Sequence, residues 1–163
     1  MSKPVLVDST VLVKLALGTR GAEFAVNLFS RIEQGVERAV VTTSAIEEAA
    51  RIVAIAAASG MLADNVRLEE VLSLLNKDAE LRKSSYEAPM AIVQYLVRLS
   101  RTGRILLYSV SAEDVEEALR LSAETGLRIS DSLTAVIARR LGVGKIATFS
   151  EELRRLPSFA YIP

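Results

Sequence analysis

The chain contains no cysteine and no histidine. Those two absences remove whole mechanisms. No Ser-His-Asp triad, thiol nucleophile, zinc finger or imidazole general base can be built within it. Side chains that hold a metal must do so through carboxylate, hydroxyl or amide oxygens, which suit Mg²⁺, Mn²⁺ or Ca²⁺. Aromatics make up only 5% of the residues, so a base-stacking platform is not expected. The eight glycines show no phosphate-loop spacing, which argues against nucleotide binding by a Gly-rich loop. No apolar run approaches the roughly 20 residues of a membrane span. The densest stretch, IVAIAAASGMLA, follows Glu47, Glu48 and Arg51 and is interrupted by Ser59 and Gly60. The start, MSKPVLVD, is too short and too soon charged for a signal peptide. The expectation is a soluble, cytoplasmic protein without membrane contact.

Charge of either sign is not in excess: 20 basic and 20 acidic residues balance, with a pI near 6.4. That disfavours coating of nucleic acid by bulk charge but leaves room for a local basic rim. Few Asn and Gln beside many Arg, Glu and Leu is a composition shared with thermophile proteins. A length of 163 residues suits one domain, 1–163, with a sizeable core.

Short apolar segments alternate with helical patterns. Strands are expected at 3–7, 37–43, 104–110 and 145–149, with a last extended piece at FAYI. Helices are expected at 9–17, 21–34, 44–58, 64–77, 85–101, 111–126 and 130–141, with a short one at 151–155. Gly18 and Gly126 mark helix ends. The alternation predicts an α/β fold whose mainly parallel sheet is covered on both faces. Sites in such folds form beyond the carboxyl ends of strands, where Asp8 and Ser150 fall.

Three acids stand beside apolar segments: Asp8 after PVLV, Glu48 within TTSAIEEAARIVAIAAA, and Asp131 in ISDSLTAVIARRLG. A carboxylate next to so much apolar surface costs free energy unless something compensates it. Asp8 reads either as an N-cap or as a ligand. Glu47 completes a capping-box pattern with Ser44 and precedes Arg51 by four residues, which gives it a structural task. Glu48 lies about 100° further round the helix with no such partner, and is the better ligand candidate. Asp131 either compensates a helix dipole or binds a ligand, with Ala135 and Ala138 leaving room beside it. Ser150 reads most simply as the N-cap of EELRR, and Asp114 completes a capping box with Ser111.

VDSTVLVKL, VTTSAIEEAARIV, LRISDSLTAVIARRLGV and KIATFSEEL, in this order, resemble the four motifs of the PIN domain family, including the VapC-type toxins of toxin–antitoxin pairs. The resemblance spans the whole chain. Asp8 with Thr10, Glu48 and Asp131 match the first three motifs, and Thr148 matches the fourth. The fourth acidic position is Ser150, with Glu152 at a later one, and 62–103 is longer than in the small toxins. The resemblance implies a three-layer α/β/α sandwich with a short central sheet. It also implies cleavage of RNA phosphodiester bonds by Asp8, Glu48 and Asp131 holding Mg²⁺ or Mn²⁺, with Thr10, Ser150 and Glu152 as auxiliaries. A homodimer that binds an antitoxin protein is the implied assembly. Ser150 motivates an alternative: a catalytically impaired module that binds RNA or a protein partner. A phosphatase using Asp8 as nucleophile is weaker, because Thr10 stands where a second acid is expected.

Overall fold

The computed structural model describes residues 3–62 and 66–163. Five short strands form one sheet: β1 (Val5–Val7), β2 (Ala39–Thr42), β3 (Ile105–Tyr108), β4 (Lys145–Ala147) and β5 (Ala160–Ile162). Their order across the sheet is β3-β2-β1-β4-β5, and every pairing is parallel. Parallel neighbours need crossovers, and these are the helices α1 (Ser9–Leu17), α2 (Ala22–Glu33), α3 (Thr43–Met61), α4 (Leu68–Lys77), α5 (Ala79–Ser85), α6 (Glu87–Arg101), α7 (Ala112–Thr125) and α8 (Ile129–Arg140). A 3₁₀ turn, Leu153–Arg155, precedes β5. Among the described residues no helix is long and apolar enough to cross a membrane.

The strand period of two divides the core into two layers. Val5, Val7, Ala39, Val41, Ile105 and Ala147 face one side and pack with α1, α2, α3 and α6 around Phe29 and Leu96. Leu6, Val40 and Ile146 face the other and pack with α7 and α8 around Val136 and Ile137. The three-layer α/β/α sandwich expected from the sequence is therefore the observed one. A satellite cluster, Ala58, Val71 and Leu75, binds α4 to the far end of α3.

Several local expectations are corrected. Among its described residues, segment 62–103 carries three helices where two were expected. Asp78 starts α5 by accepting the Glu80 and Leu81 N–H groups, each at 3.0 Å. Pro89 has no N–H to continue that helix into α6. The start of the expected helix at 64–77 lies partly outside the described residues; its described part begins at Leu68. α3 is capped by Thr42, whose Oγ1 accepts the Ala45 N–H at 3.1 Å, not by Ser44. No Glu47–Arg51 ion pair forms among the described residues. Ala135 and Ala138 open no space beside Asp131. Both are fully buried in the second core, where their small size lets α8 pack closely.

Asp114 has the structural role expected of it. It is fully buried and accepts the Ser111 N–H at 2.9 Å and the Tyr108 hydroxyl at 3.0 Å, while Arg140 of α8 pairs with it at 2.6 Å. Burial pushes its carboxyl up, but the Ser111 N–H, the Tyr108 hydroxyl and the Arg140 charge outweigh that and hold it below the usual range. A depressed folded value stabilises above the unfolded pKa and loses that stabilisation as pH falls through the folded one.

Two outcomes are expected. Ala138→Leu overpacks the α8 layer and lowers stability by about 1–3 kcal/mol in urea unfolding; an unchanged midpoint would show that the space is present. Asp114→Asn lowers the melting temperature at neutral pH, and its deficit relative to the wild type narrows as pH falls below the ordinary aspartate range. A deficit that stays constant with pH would show that the Asp114 charge plays no part.

Candidate active site

The strand order reverses between β1 and β4, and ligands of open α/β sheets bind where such a reversal leaves a crevice. Val7 of β1 pairs with Ala147 of β4 and Val41 of β2, so the next residues, Asp8, Thr148 and Thr42, emerge together at one edge. The Asp8 N–H donates to the Ala147 carbonyl at 3.0 Å and continues that register by one residue.

Asp8 occupies the N-cap position of α1, yet its side chain makes no capping bond. Its Oδ2 accepts two hydroxyls instead, Thr10 Oγ1 and Thr148 Oγ1, each at 2.8 Å. Both hydroxyl protons go to Asp8, and each oxygen also accepts a backbone N–H. Thr10 Oγ1 accepts the Phe149 N–H and Thr148 Oγ1 accepts the Ser150 N–H, both at 2.9 Å. The 3.5 Å approach between the two hydroxyls is then a contact between oxygens whose protons point elsewhere. The pair ties the loop after β4 to the first turn of α1 and fixes the Asp8 carboxylate, which is only 3% exposed. No hydrogen bond to Oδ1 is formed among the described residues.

Asp8 and Glu48 line one cleft of about 250 Å³, together with Ser44, Ala45, Glu47, Arg51, Ile129, Ser130, Leu133 and Thr134. Glu48 is half-buried on its wall, whereas Glu47 is exposed. Asp131, Ser150 and Glu152 do not line this cleft. They gather around a residue the sequence reading passed over, Arg128. Its Nε donates to Asp131 Oδ2 at 3.1 Å and lies 3.2 Å from Glu152 Oε2. Its terminal nitrogen donates to Ser150 Oγ at 3.4 Å. Ser150 Oγ in turn accepts the Leu153 N–H at 3.3 Å, but it is not the N-cap expected of it: the helix expected at 151–155 is a 3₁₀ turn at Leu153–Arg155 whose N-cap is Glu152. The pattern Arg-x-x-Asp in LRISD, with an i,i+3 spacing, was the available signal for Arg128. Thr148 carried a weaker one as the hydroxyl kept in KIATF. Arg154, which donates to the Thr148 carbonyl at 2.6 Å, carried none.

The electrostatics follow the geometry. Burial pushes the Asp131 carboxyl up; the Ser150 hydroxyl and the Arg128 guanidinium oppose this, and the Asp8 carboxylate adds to the rise. The Asp131 charge, aided by Glu152 and Glu48, holds the Arg128 guanidinium above its ordinary value against the cost of burial. The two sets of acids therefore feel one another across the α1–α8 boundary. Among the described residues no three acidic side chains stand together as a preformed metal cluster. The donor types nevertheless fit a hard divalent ion: carboxylate oxygens of Asp8 and Glu48 on the cleft, with Asp131 beside them but already paired to Arg128.

A profile of the PIN domain matches residues 5–158, and the chain belongs to the PIN domain family. Solved structures also match. Among them is Mycobacterium tuberculosis VapC20, described as a sarcin–ricin loop cleaving toxin. It is 14% identical, with 93% of each chain covered and a TM-score of 0.59, which is a likeness of fold. No curated protein sequence gives a significant match.

Thr148→Val keeps the side-chain volume but removes the donor to Asp8 and the acceptor of the Ser150 N–H. It is expected to cost about 1–3 kcal/mol, read by denaturant unfolding. Wild-type stability in the variant would show that the hydroxyl bridge is dispensable.

Proposed function

We propose that this chain is a divalent-metal-dependent endoribonuclease that acts through Asp8, Glu48 and Asp131. The observation that carries the reading is Asp8 itself. It sits at the switch point of a parallel sheet, with one oxygen fixed by two hydroxyls and the other without a hydrogen bond among the described residues, beside Glu48 in a cleft. Membership of the PIN domain family supports nuclease chemistry. The fold shared with a VapC toxin supports the toxin of a toxin–antitoxin pair, with RNA as substrate and an antitoxin protein as partner. Action in the cytoplasm as a single domain, 1–163, and as a homodimer completes the proposal.

Bound Mg²⁺ or Mn²⁺ would supply polarisation of a phosphoryl oxygen and a more acidic water. This chain's own residues supply the rest. Thr10 and Thr148 hold Asp8 in one rotamer, so its free oxygen keeps a constant direction. Glu48 adds a second negative charge on the cleft. Like carboxylates about 4 Å apart at an effective dielectric near 20 repel by roughly 4 kcal/mol, a repulsion that a divalent ion converts into binding. Arg51, on the same wall and without an ion pair among the described residues, is placed to meet a phosphate. With no histidine in the chain, proton transfer at the site falls to water and carboxylates.

The alternative, a catalytically impaired module that binds RNA or a protein partner, is favoured by one observation. Arg128 and Ser150 stand in the corner where more negative charge would help to hold metal.

Purified protein is expected to cleave a fluorogenic RNA only with Mn²⁺ or Mg²⁺ present. Chelation should stop it, and Asp8→Asn should lower the rate by at least about a hundredfold, the loss typical of one transition-state contact. Cleavage that survives both treatments would reject the metal-dependent reading. RNA binding without turnover in the wild type would favour the alternative.

A further inference from the structure

Arg128 occupies the N-cap position of α8, where its backbone is extended and no side-chain cap forms. Two elementary preferences oppose an arginine there. A guanidinium has no acceptor for the free N–H groups of the first turn. A cation also meets the positive end of the helix dipole. Helix formation therefore does not account for it, and its contacts do. A single guanidinium spans Asp131 in α8, Ser150 after β4 and Glu152 before the 3₁₀ turn, at 3.1, 3.4 and 3.2 Å. Asp131 is 3% exposed, and Arg128 is the cation paired with this buried carboxylate.

We propose that Arg128 is a resident counter-cation that competes with the divalent ion for Asp131, and so weakens metal binding in the resting protein. The inference rests on the metal-dependent reading above and deepens it. Asp8 and Glu48 are left as the acids on the cleft, while Asp131 is held by an internal charge until an ion or a substrate phosphate draws the guanidinium away. Water and ions reach Arg128 from outside: its side chain is 62% exposed, and the Glu152 partner is 42% exposed. Ser150 lowers the barrier to that release, because it holds the arginine through a neutral hydroxyl at the long end of hydrogen-bond distance. Arg128 is thus a positioning residue for the site's charge and touches no substrate in this arrangement.

The test is Mn²⁺ binding to full-length protein without RNA, followed by calorimetry and by the electron paramagnetic resonance of free Mn²⁺. Arg128→Gln is expected to tighten Mn²⁺ binding by about three- to tenfold, the scale of a partly exposed ion pair. Arg128→Lys, which keeps the charge, should stay near the wild type. Arg101→Gln controls for net charge, since it removes the same charge from an exposed position at the end of α6 that does not line the cleft. Unchanged or weaker binding in Arg128→Gln would overturn the proposal, as would equal tightening in Arg101→Gln. If Asp8→Asn abolishes Mn²⁺ binding while Arg128→Gln leaves it unchanged, the metal reading stands and only the competition fails. If neither the wild type nor Arg128→Gln binds Mn²⁺ at millimolar concentration, both fail.

Discussion

One oxygen of Asp8 receives two hydroxyl protons, from Thr10 and from Thr148, and the site depends on that convergence. The two threonines are far apart in sequence and meet only because β1 and β4 are parallel neighbours in strict register. Each hydroxyl also accepts a backbone N–H of the loop after β4, which ties that loop to the carboxylate. A buried carboxylate is tolerable here because it is hydrogen-bonded, and it remains available because one oxygen is spared. Packing of α1 and the β4 loop, and orientation of the acid, are thus achieved by the same four bonds.

The acids divide into two sets with different partners. Asp8 and Glu48 share a cleft and have no cation bound to them among the described residues. Asp131 and Glu152 share a guanidinium. Their proximity is felt electrostatically, since the Asp8 charge adds to the rise of the Asp131 pKa. Arg128 supplies an internal positive charge in the corner of Asp131 and Glu152, and Ser150 leaves that corner with less negative charge than an acid would. The two layers of the sandwich position each set: α1 and α3 lie with the first on one face of the sheet, while α8 carries Asp131 on the other and the segment after β4 brings Glu152 to it.

Much of the fold could be read from the chain, because short β-branched runs alternating with helical periods leave few architectures open. Helix angle separates Glu48 from Glu47 in the sequence, but in the structure both line the cleft, Glu48 half-buried and Glu47 exposed. The errors were local and share a cause. Ser44 and Thr42 compete as caps, and only the end of β2 decides between them. Ala135 and Ala138 read as empty space beside Asp131, but small residues on a buried helix serve close packing equally well. Arg128 was overlooked because an arginine before a helix resembles ordinary solvated charge until its partners on other segments are known.

Residue chemistry by itself determined that this protein must work without imidazole or thiol, that any metal must be held by oxygen, and that strands and helices alternate into a covered sheet. Those conclusions need only composition and period, which are local properties of the chain. Tertiary structure alone decided that Thr148 orients Asp8, that Asp131 is held by Arg128, and that the acids are split between a cleft and an ion-paired corner. Such facts depend on which strands become neighbours and in what register. No local pattern encodes a contact made across 140 residues of intervening chain.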